Sequence, residues 1–118
     1  MGTANVLVLY TGGTIGMVET EAGYSPARTT LSSVLQAHPR FHDPDRPPLT
    51  TPPTRYGNRV HYRVEEVPEP KDSALMSMAD WLDIARRIGE QHHAYDGFVV
   101  LHGTDTMAYT ASALSFLL

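Results

Sequence analysis

Asn5-Val-Leu-Val-Leu-Tyr10 is an apolar run that leads directly into Thr11-Gly-Gly-Thr-Ile-Gly16. A continuous apolar run of this length, bounded by glycines, is typical of a strand that is buried on both faces. The turn that follows combines two adjacent glycines with a threonine, so it can offer free amides and a hydroxyl to a ligand. In open parallel sheets, ligands bind beyond the carboxyl ends of the strands. This turn is therefore predicted to line a site.

The same order of strand and turn occurs again near the end of the chain. Phe98-Val-Val-Leu101 leads into His102-Gly-Thr-Asp-Thr106, and residues 107–118 are apolar enough for a buried helix. Asp105 or Thr106 can cap that helix. Because parallel strands end at one edge of a sheet, both turns are expected to line one cleft.

The segments between these motifs are less regular. Residues 17–26 are polar and contain glycine, without the periodicity of a helix or strand, and are predicted to form a loop. Thr30 can cap a short helix over residues 31–38, which a proline then stops. Residues 43–58 contain five prolines and are predicted to be a surface excursion with neither helix nor ladder.

One further strand and one further helix complete the pattern. Apolar and polar residues alternate over residues 60–65, which predicts a strand with one buried face. Ser77 and Asp80 have the spacing of a capping box, which predicts a helix over residues 78–92. Its expected apolar face consists of Met78, Trp81, Leu82, Ala85 and Ile88. Strands alternating with helices predict an α/β fold, the start of a mostly parallel, helix-covered sheet.

Composition excludes several classes of protein. The chain has 118 residues, 42% hydrophobic and 19% charged, which suits one globular domain or part of one. A formal charge of -4 without a basic run argues against nucleic-acid partners. No segment approaches the ~20 apolar residues of a membrane span, and the first apolar run is too short for a signal peptide. The expectation is a cytoplasmic protein.

Metal binding is not expected either. The chain has no cysteine, so thiolate zinc sites are excluded. Its six histidines include no His-Glu-x-x-His pattern, and Pro39 breaks the helix that would align His38 with His42. His102 is expected to pack or hydrogen-bond beneath its turn rather than act as a base.

Thr14 is the candidate nucleophile in the first turn. A threonine hydroxyl is a weak nucleophile and needs a partner that moves its proton. Tyr24, Thr104 and Asp105 are the candidates for that role. The alternative is that the first turn binds a phosphate or forms a tight corner, but it lacks the G-x-G-x-x-G order and the G-K-[ST] ending of nucleotide loops.

The two turns, in this order, resemble those of the asparaginase family. The motifs that carry the likeness are Thr-Gly-Gly-Thr-Ile-Gly at residues 11–16, Phe-His-Asp at residues 41–43 and the segment from His102 to Phe116. The resemblance is strongest to cytoplasmic, type I enzymes, including animal forms with ankyrin repeats. Family members are longer, so residues 1–118 are expected to be a partial N-terminal domain, with its remainder and the C-terminal domain absent.

The resemblance implies an L-asparagine amidohydrolase that needs no cofactor. Thr14 matches the nucleophile, which attacks the side-chain amide of asparagine to give a β-aspartyl enzyme and ammonia, before water releases aspartate. Tyr24 matches the tyrosine on the loop that closes over the substrate. Thr104 and Asp105 match the second threonine and the aspartate, and Asp105 also holds the substrate's α-amino group. The lysine that works with Thr104 is expected beyond the present chain.

Further residues are implied to bind substrate. Asp72 and Ser73 resemble the start of the family's Asp-Ser-Ser-Asp-Met stretch, whose serines bind the α-carboxylate. Here Ala74 and Leu75 follow, so the preference for asparagine or glutamine stays open. The family also implies a homodimer or homotetramer, since its sites form between subunits.

Two other functions are weighed against this one. The archaeal glutamyl-tRNA amidotransferase has an asparaginase-like subunit with both motifs, but its members carry an extra domain ahead of the first motif, for which ten residues leave no room. The other alternative is a non-catalytic binding or interaction fragment, because the chain lacks the family lysine.

Overall fold

The structure is a computed structural model that describes residues 2–13, 17–26 and 31–118. Its strands are β1 (Thr3–Tyr10), β2 (Met17–Thr20), β3 (Gly23–Pro26), β4 (Arg59–Glu66) and β5 (Gly97–Leu101). Its helices are α1 (Leu31–Gln36), α2 (Met78–Gln91) and α3 (Met107–Leu117), with a 3₁₀ turn at Ser73–Leu75. Within these described ranges, every helix is too short or too polar to cross a bilayer.

A parallel sheet is the centre of the fold. In the described residues it has three strands in the order β4-β1-β5, and β1 runs parallel to both neighbours. Leu7 and Leu9 in the central strand are fully buried. The predicted α/β class and parallel sheet are therefore confirmed, and the first strand begins two residues earlier than the apolar run.

α2 and α3 pack against the sheet. Leu9, Ile84 and Ile88 form a buried cluster, and Phe98 and Leu114 pack against it. This corrects the predicted apolar face of α2, which omitted Ile84. Met78 and Leu82 of the predicted face are exposed. The helix is rotated so that positions 84 and 88, one turn apart, meet the sheet.

α2 begins as the sequence predicts. The backbone amide of Ser77 donates to Asp80 Oδ2 over 2.8 Å, and the serine hydroxyl donates to the same oxygen over 3.0 Å. The carboxylate therefore satisfies a donor that the helix start would leave unpaired.

α3 is less buried than its apolar composition predicts. Thr110 is its buried residue, whereas Tyr109, Leu117 and Phe116 are exposed, Phe116 by 91%. In the part of the chain that the structure describes, α3 packs on one side only, with Leu114 against the cluster on the sheet. Thr106 is its N-cap, which is one of the two residues, Asp105 and Thr106, that the sequence predicted for this position.

The segment predicted to be a loop after the first turn contains a hairpin. β2 and β3 pair antiparallel, from Met17 with Pro26 to Thr20 with Gly23. The hydroxyl of Thr20 donates to the carbonyl of Gly23 over 2.5 Å, and Gly23 has a φ of 103°. Glycine adopts this φ without a steric penalty. The predicted cap at Thr30 lies outside the described residues.

The proline-rich excursion is tied to β4. Thr50 forms an isolated antiparallel bridge with His61, which corrects the expectation that no ladder contact forms there. Arg59 Nη1 donates to Asp43 Oδ2 over 2.6 Å. The hydrogen bond from Arg59 holds the pKa of the Asp43 carboxyl below its usual value. The bridge from Thr50 to His61 can form because Thr50 and Thr51 lie between the prolines and keep their backbone donors.

Candidate active site

Two turns meet at the carboxyl edge of the sheet. Tyr10 at the end of β1 is paired with Leu101 at the end of β5. Thr11 fastens the first turn to this partner, because its backbone amide and its hydroxyl both donate to the Leu101 carbonyl, over 2.9 and 2.8 Å. The first turn thus begins at Thr11, whose side chain is buried and is held by the neighbouring strand.

Glycine is required where the two turns touch. Gly13 has a φ of 96°, and a Cβ atom there would lie 3.1 Å from the backbone nitrogen of Gly103. The hydroxyl of Tyr10 donates to the carbonyl of Gly13 over 2.9 Å. The backbones of the two turns are therefore in direct contact, as the strand order predicts.

A third segment, residues 71–73, closes the site from the side of β4. The amide of Lys71 donates to the carbonyl of Thr11 over 3.0 Å, which brings the next two residues beside the first turn. Thr106 Oγ1 donates to the carbonyl of Ser73 over 2.7 Å, and Ser73 Oγ accepts from the Thr106 amide over 3.3 Å. This reciprocal pair connects the third segment to the second turn.

These three segments enclose an open cavity of about 640 Å³. It is lined by Gly13, Met17, Asp72, Ser73, Val100, Leu101, His102, Gly103, Thr104, Asp105 and Met107. Thr104 and Asp105 are exposed. An exposed carboxylate in such a cavity can bind a substrate ammonium, and the adjacent hydroxyl can take part in proton transfer.

The predicted site residues fall into two groups. Asp72, Ser73, Thr104 and Asp105 line the cavity together. Thr14 lies outside the described residues. The backbone of Tyr24 belongs to β3 and pairs with Glu19, while its side chain lies outside the described part. The predicted roles of all six stay predictions.

Ser73 differs from the other cavity residues in its burial. It is only 1% exposed, and its hydroxyl points toward the amide at the start of α3. Asp72 Oδ1 instead accepts from the Ala74 amide over 3.1 Å, which starts the 3₁₀ turn. The Ser73 oxygen would therefore accept from the Thr106 amide while its hydroxyl proton is donated to a substrate carboxylate.

Lys71 has a role away from this cavity. Its ammonium lies 3.0 Å from Asp80 Oδ1, and it lines a separate space of about 250 Å³ beside α2. Burial alone would raise the pKa of the Asp80 carboxyl, but hydrogen bonds from Ser77 and Lys71 outweigh it and lower that pKa. Lys71 is thus a structural partner of α2, in agreement with its position outside the motifs.

His102 lies beneath the second turn. It is 8% exposed, and its Nε2 lies 2.8 Å from Thr110 Oγ1. The expectation that His102 packs and hydrogen-bonds under the turn is confirmed. Sequence reasoning missed that Trp81 joins this arrangement by donating from Nε1 to Thr110 Oγ1 over 2.9 Å.

The described residues do not form a metal site around this cavity. In residues 2–13, 17–26 and 31–118, no group of three or more His, Asp or Glu side chains is placed to hold a metal ion.

The sequence profile described as Asparaginase, N-terminal matches residues 5–118. The chain belongs to the asparaginase family. Residues 11–13 of the first family motif and residues 102–106 of the second are thus the described segments that meet at the cavity.

Two relatives are similar over nearly the whole of this chain. The chain is 45% identical over 118 residues to L-asparaginase 1 of Escherichia coli strain K12, covering 100% of this chain and 31% of that protein. It is 41% identical to the human 60 kDa lysophospholipase, covering 96% of this chain and 21% of that protein. The chain spans about a third or less of the length of these relatives.

A solved structure has the same fold. L-asparaginase I from Vibrio cholerae superposes with a TM-score of 0.74 at 41% identity, covering 96% of this chain and 30% of that one. The parallel sheet and helices described above are therefore those of an asparaginase N-terminal domain.

Proposed function

We propose that the protein containing this chain is an L-asparagine amidohydrolase with Thr14 as its nucleophile. The observation that carries the proposal is the meeting of the two turns in one cavity, with Thr104 and Asp105 exposed in it. The 45% identity to an L-asparaginase over the whole chain supports the same activity.

The proposed reaction has two steps. Thr14 Oγ bonds to the side-chain carbonyl carbon of asparagine, the bond from that carbon to nitrogen breaks, and the threonine proton leaves with the nitrogen as ammonia. Water then attacks the β-aspartyl ester, which releases aspartate and restores the threonine hydroxyl. Tyr24 and Thr104 are proposed to move the proton, because a threonine alcohol is too weak a nucleophile alone.

The remaining cavity residues are proposed to bind the substrate. The Asp105 carboxylate would hold the α-ammonium by a charge-assisted hydrogen bond. Ser73 would donate its hydroxyl to the α-carboxylate, and Asp72 would bind at the same end of the substrate, where its negative charge suits the α-ammonium. The ammonium and the carboxylate are both on the α-carbon of asparagine, so holding that end of the substrate would leave its side-chain amide to point toward the first turn.

The rest of the proposal concerns the whole protein. Residues 1–118 are proposed to be part of a longer N-terminal domain, as the greater length of the relatives suggests. The missing portion would supply the lysine that works with Thr104. A cytoplasmic homodimer or homotetramer is proposed by the same family likeness.

Replacing the nucleophile tests the activity. In the full-length protein, Thr14→Ala should lower ammonia release from asparagine by several orders of magnitude, as knockouts of serine nucleophiles do. Thr3→Ala is the matched control, because Thr3 is an exposed residue at the start of β1. Near-native turnover by Thr14→Ala would refute the assignment. Calorimetric binding of aspartate without any turnover by the wild type would favour a non-catalytic binding protein instead.

A further inference from the structure

A chain of hydrogen bonds connects α2 with the second turn. Trp81 Nε1 donates to Thr110 Oγ1 over 2.9 Å. The same oxygen lies 2.8 Å from His102 Nε2, and His102 Nδ1 lies 2.5 Å from the carbonyl oxygen of Gly103. Three elements, α2, α3 and the turn after β5, therefore meet through polar contacts in a largely apolar layer.

The partners assign the proton positions. A carbonyl oxygen only accepts, so His102 Nδ1 must carry hydrogen and donate to Gly103. An indole N–H only donates, so the Thr110 oxygen accepts from Trp81 and keeps its own proton to give. His102 Nε2 can receive it when that nitrogen carries no hydrogen, so the arrangement that uses every donor is the His102 tautomer with hydrogen on Nδ1 alone.

Burial makes these contacts costly to break. Thr110 is 2% exposed and His102 is 8% exposed, so neither group can replace a lost partner with bulk water. Each hydrogen bond also restricts the next, because the Thr110 hydroxyl has one proton and one direction in which to donate it. These hydrogen bonds are therefore expected to hold the His102 imidazole in one orientation.

The hydrogen bonds end at Gly103, which lies in a crowded part of the cavity. A Cβ atom on Gly103 would lie 2.9 Å from Ser73 Oγ, and its backbone nitrogen lies 3.1 Å from the Cβ position of Gly13. The peptide that His102 holds is thus in contact with both the first turn and the third segment. Any displacement of Gly103 must change the spacing of Thr104 from those two segments.

We propose that Trp81, Thr110 and His102 are positioning residues for the amidohydrolase reaction. Through the carbonyl of Gly103 they hold Thr104 at the distance from the first turn that proton transfer requires. This inference rests on the proposed function, and none of the three residues is assigned a chemical step. An alternative is that the network only satisfies buried polar groups, in which case it contributes to stability but not to kcat.

Kinetics of the full-length protein separate these two roles. Thr110→Val keeps the side-chain shape but removes the hydroxyl, and Trp81→Phe removes the indole N–H. Each variant should lower kcat about tenfold, because small misplacements of reacting groups are costly. Each should leave KM within about twofold, since the substrate-binding side chains stay in place. Thr110→Ser, which restores the hydroxyl, should recover most of kcat.

A double variant tests whether the residues act as one chain. Trp81→Phe combined with Thr110→Val should be no slower than Thr110→Val alone, because both changes interrupt the same connection. Ser112→Ala, an exposed serine on α3, is the control and should leave kcat unchanged. Multiplied losses in the double variant, or wild-type kcat in both single variants, would overturn the proposal.

Nuclear magnetic resonance gives a readout that is independent of turnover. The ring nitrogen shifts of His102 in the wild type should show hydrogen on Nδ1 and none on Nε2. The chain has one tryptophan, so its indole N–H signal is unique in this segment, and Thr110→Val should shift it and speed its exchange with water. A tautomer protonated at Nε2 would overturn the proposal even if a variant fails to fold.

The same experiments distinguish failure of the proposed function. If the wild-type protein releases no ammonia from asparagine, or Thr14→Ala keeps full activity, the amidohydrolase assignment is refuted and positioning for that reaction falls with it. If Thr14→Ala is inactive while the network variants keep wild-type kcat, only the positioning role is refuted.

Discussion

The carbonyl oxygen of Lys71 lies 1.9 Å from the point that a Cβ atom would occupy on Gly12. The contact is with backbone, which cannot turn aside as a flexible side chain can. Gly12 also has a φ of 142°, in a region that other residues rarely adopt. The first turn and the third segment are thus packed so closely that only glycine fits between them.

Gly12→Ala should therefore damage the fold as well as the site. Two segments must separate to admit the methyl group, and we expect a loss of about 3 kcal/mol in the free energy of unfolding. Chemical denaturation measures it. The matched control is Gly89→Ala, because Gly89 lies in α2 with open space around it and alanine should stabilise the helix by about 0.5–1 kcal/mol. Equal stability of Gly12→Ala and wild type would contradict the close approach.

Asp80 makes stability depend on pH. Its carboxyl has a lowered pKa in the folded state, so the stabilisation is present above the unfolded pKa of about 3.9 and is lost as pH falls through the folded pKa. Asp80→Asn should cost about 1 kcal/mol at pH 7, from weakened bonds to Ser77 and Lys71. The difference should shrink below about pH 4, where the wild-type carboxyl takes up a proton. Thermal unfolding of both forms at several pH values checks this, and a constant difference would contradict it.

Asp105→Asn should impair both binding and turnover. The proposed contact with the substrate ammonium is present in the ground state and in the transition state, so KM should rise and kcat should fall together. Steady-state ammonia release from the full-length protein is the measurement. Asp45→Asn, in the exposed proline-rich excursion, is the control for loss of one charge. An unchanged kcat/KM would show that Asp105 does not bind substrate.

The 118 residues expressed alone should associate and should not hydrolyse asparagine. Phe116 is 91% exposed and Leu117 and Leu118 are exposed beside it, an apolar surface that favours self-association. Phe116→Glu should lower the sedimentation mass of the isolated chain, whereas Ser115→Glu, on the same helix, should lower it less. A monomeric, active wild-type chain would refute this prediction.

The sequence was sufficient for the parallel sheet but not for the helix packing. Strong apolar runs such as the one ending at Tyr10 have one reasonable structure, and the turns after them mark the edge where a ligand binds. The face of α2 was harder, because Trp81, Leu82 and Ile84 are all apolar and neighbours in space decide which is buried. Periodicity ranks positions around a helix only to within about one residue.

The missed features depend on contacts between distant segments. The β2–β3 hairpin has Glu21-Ala22 at its turn, without the Asn-Gly or Asp-Gly that marks short hairpins. The contact between Trp81 and Thr110 joins residues 29 apart on different helices. No local pattern encodes such a pair, although a lone tryptophan beside a motif threonine is a reason to look for one.

The position of β1 at the middle of the sheet has a consequence for how the chain folds as it is made. Its amide at Asn5 is bound by Asp96, 91 residues later. At a synthesis rate of about 5–20 residues per second, the first strand waits on the order of ten seconds for that neighbour to emerge. Throughout that delay the strand has at least one edge unpaired, because β4 also follows it in the chain, and a chaperone that shields residues 3–10 would raise the yield of native protein.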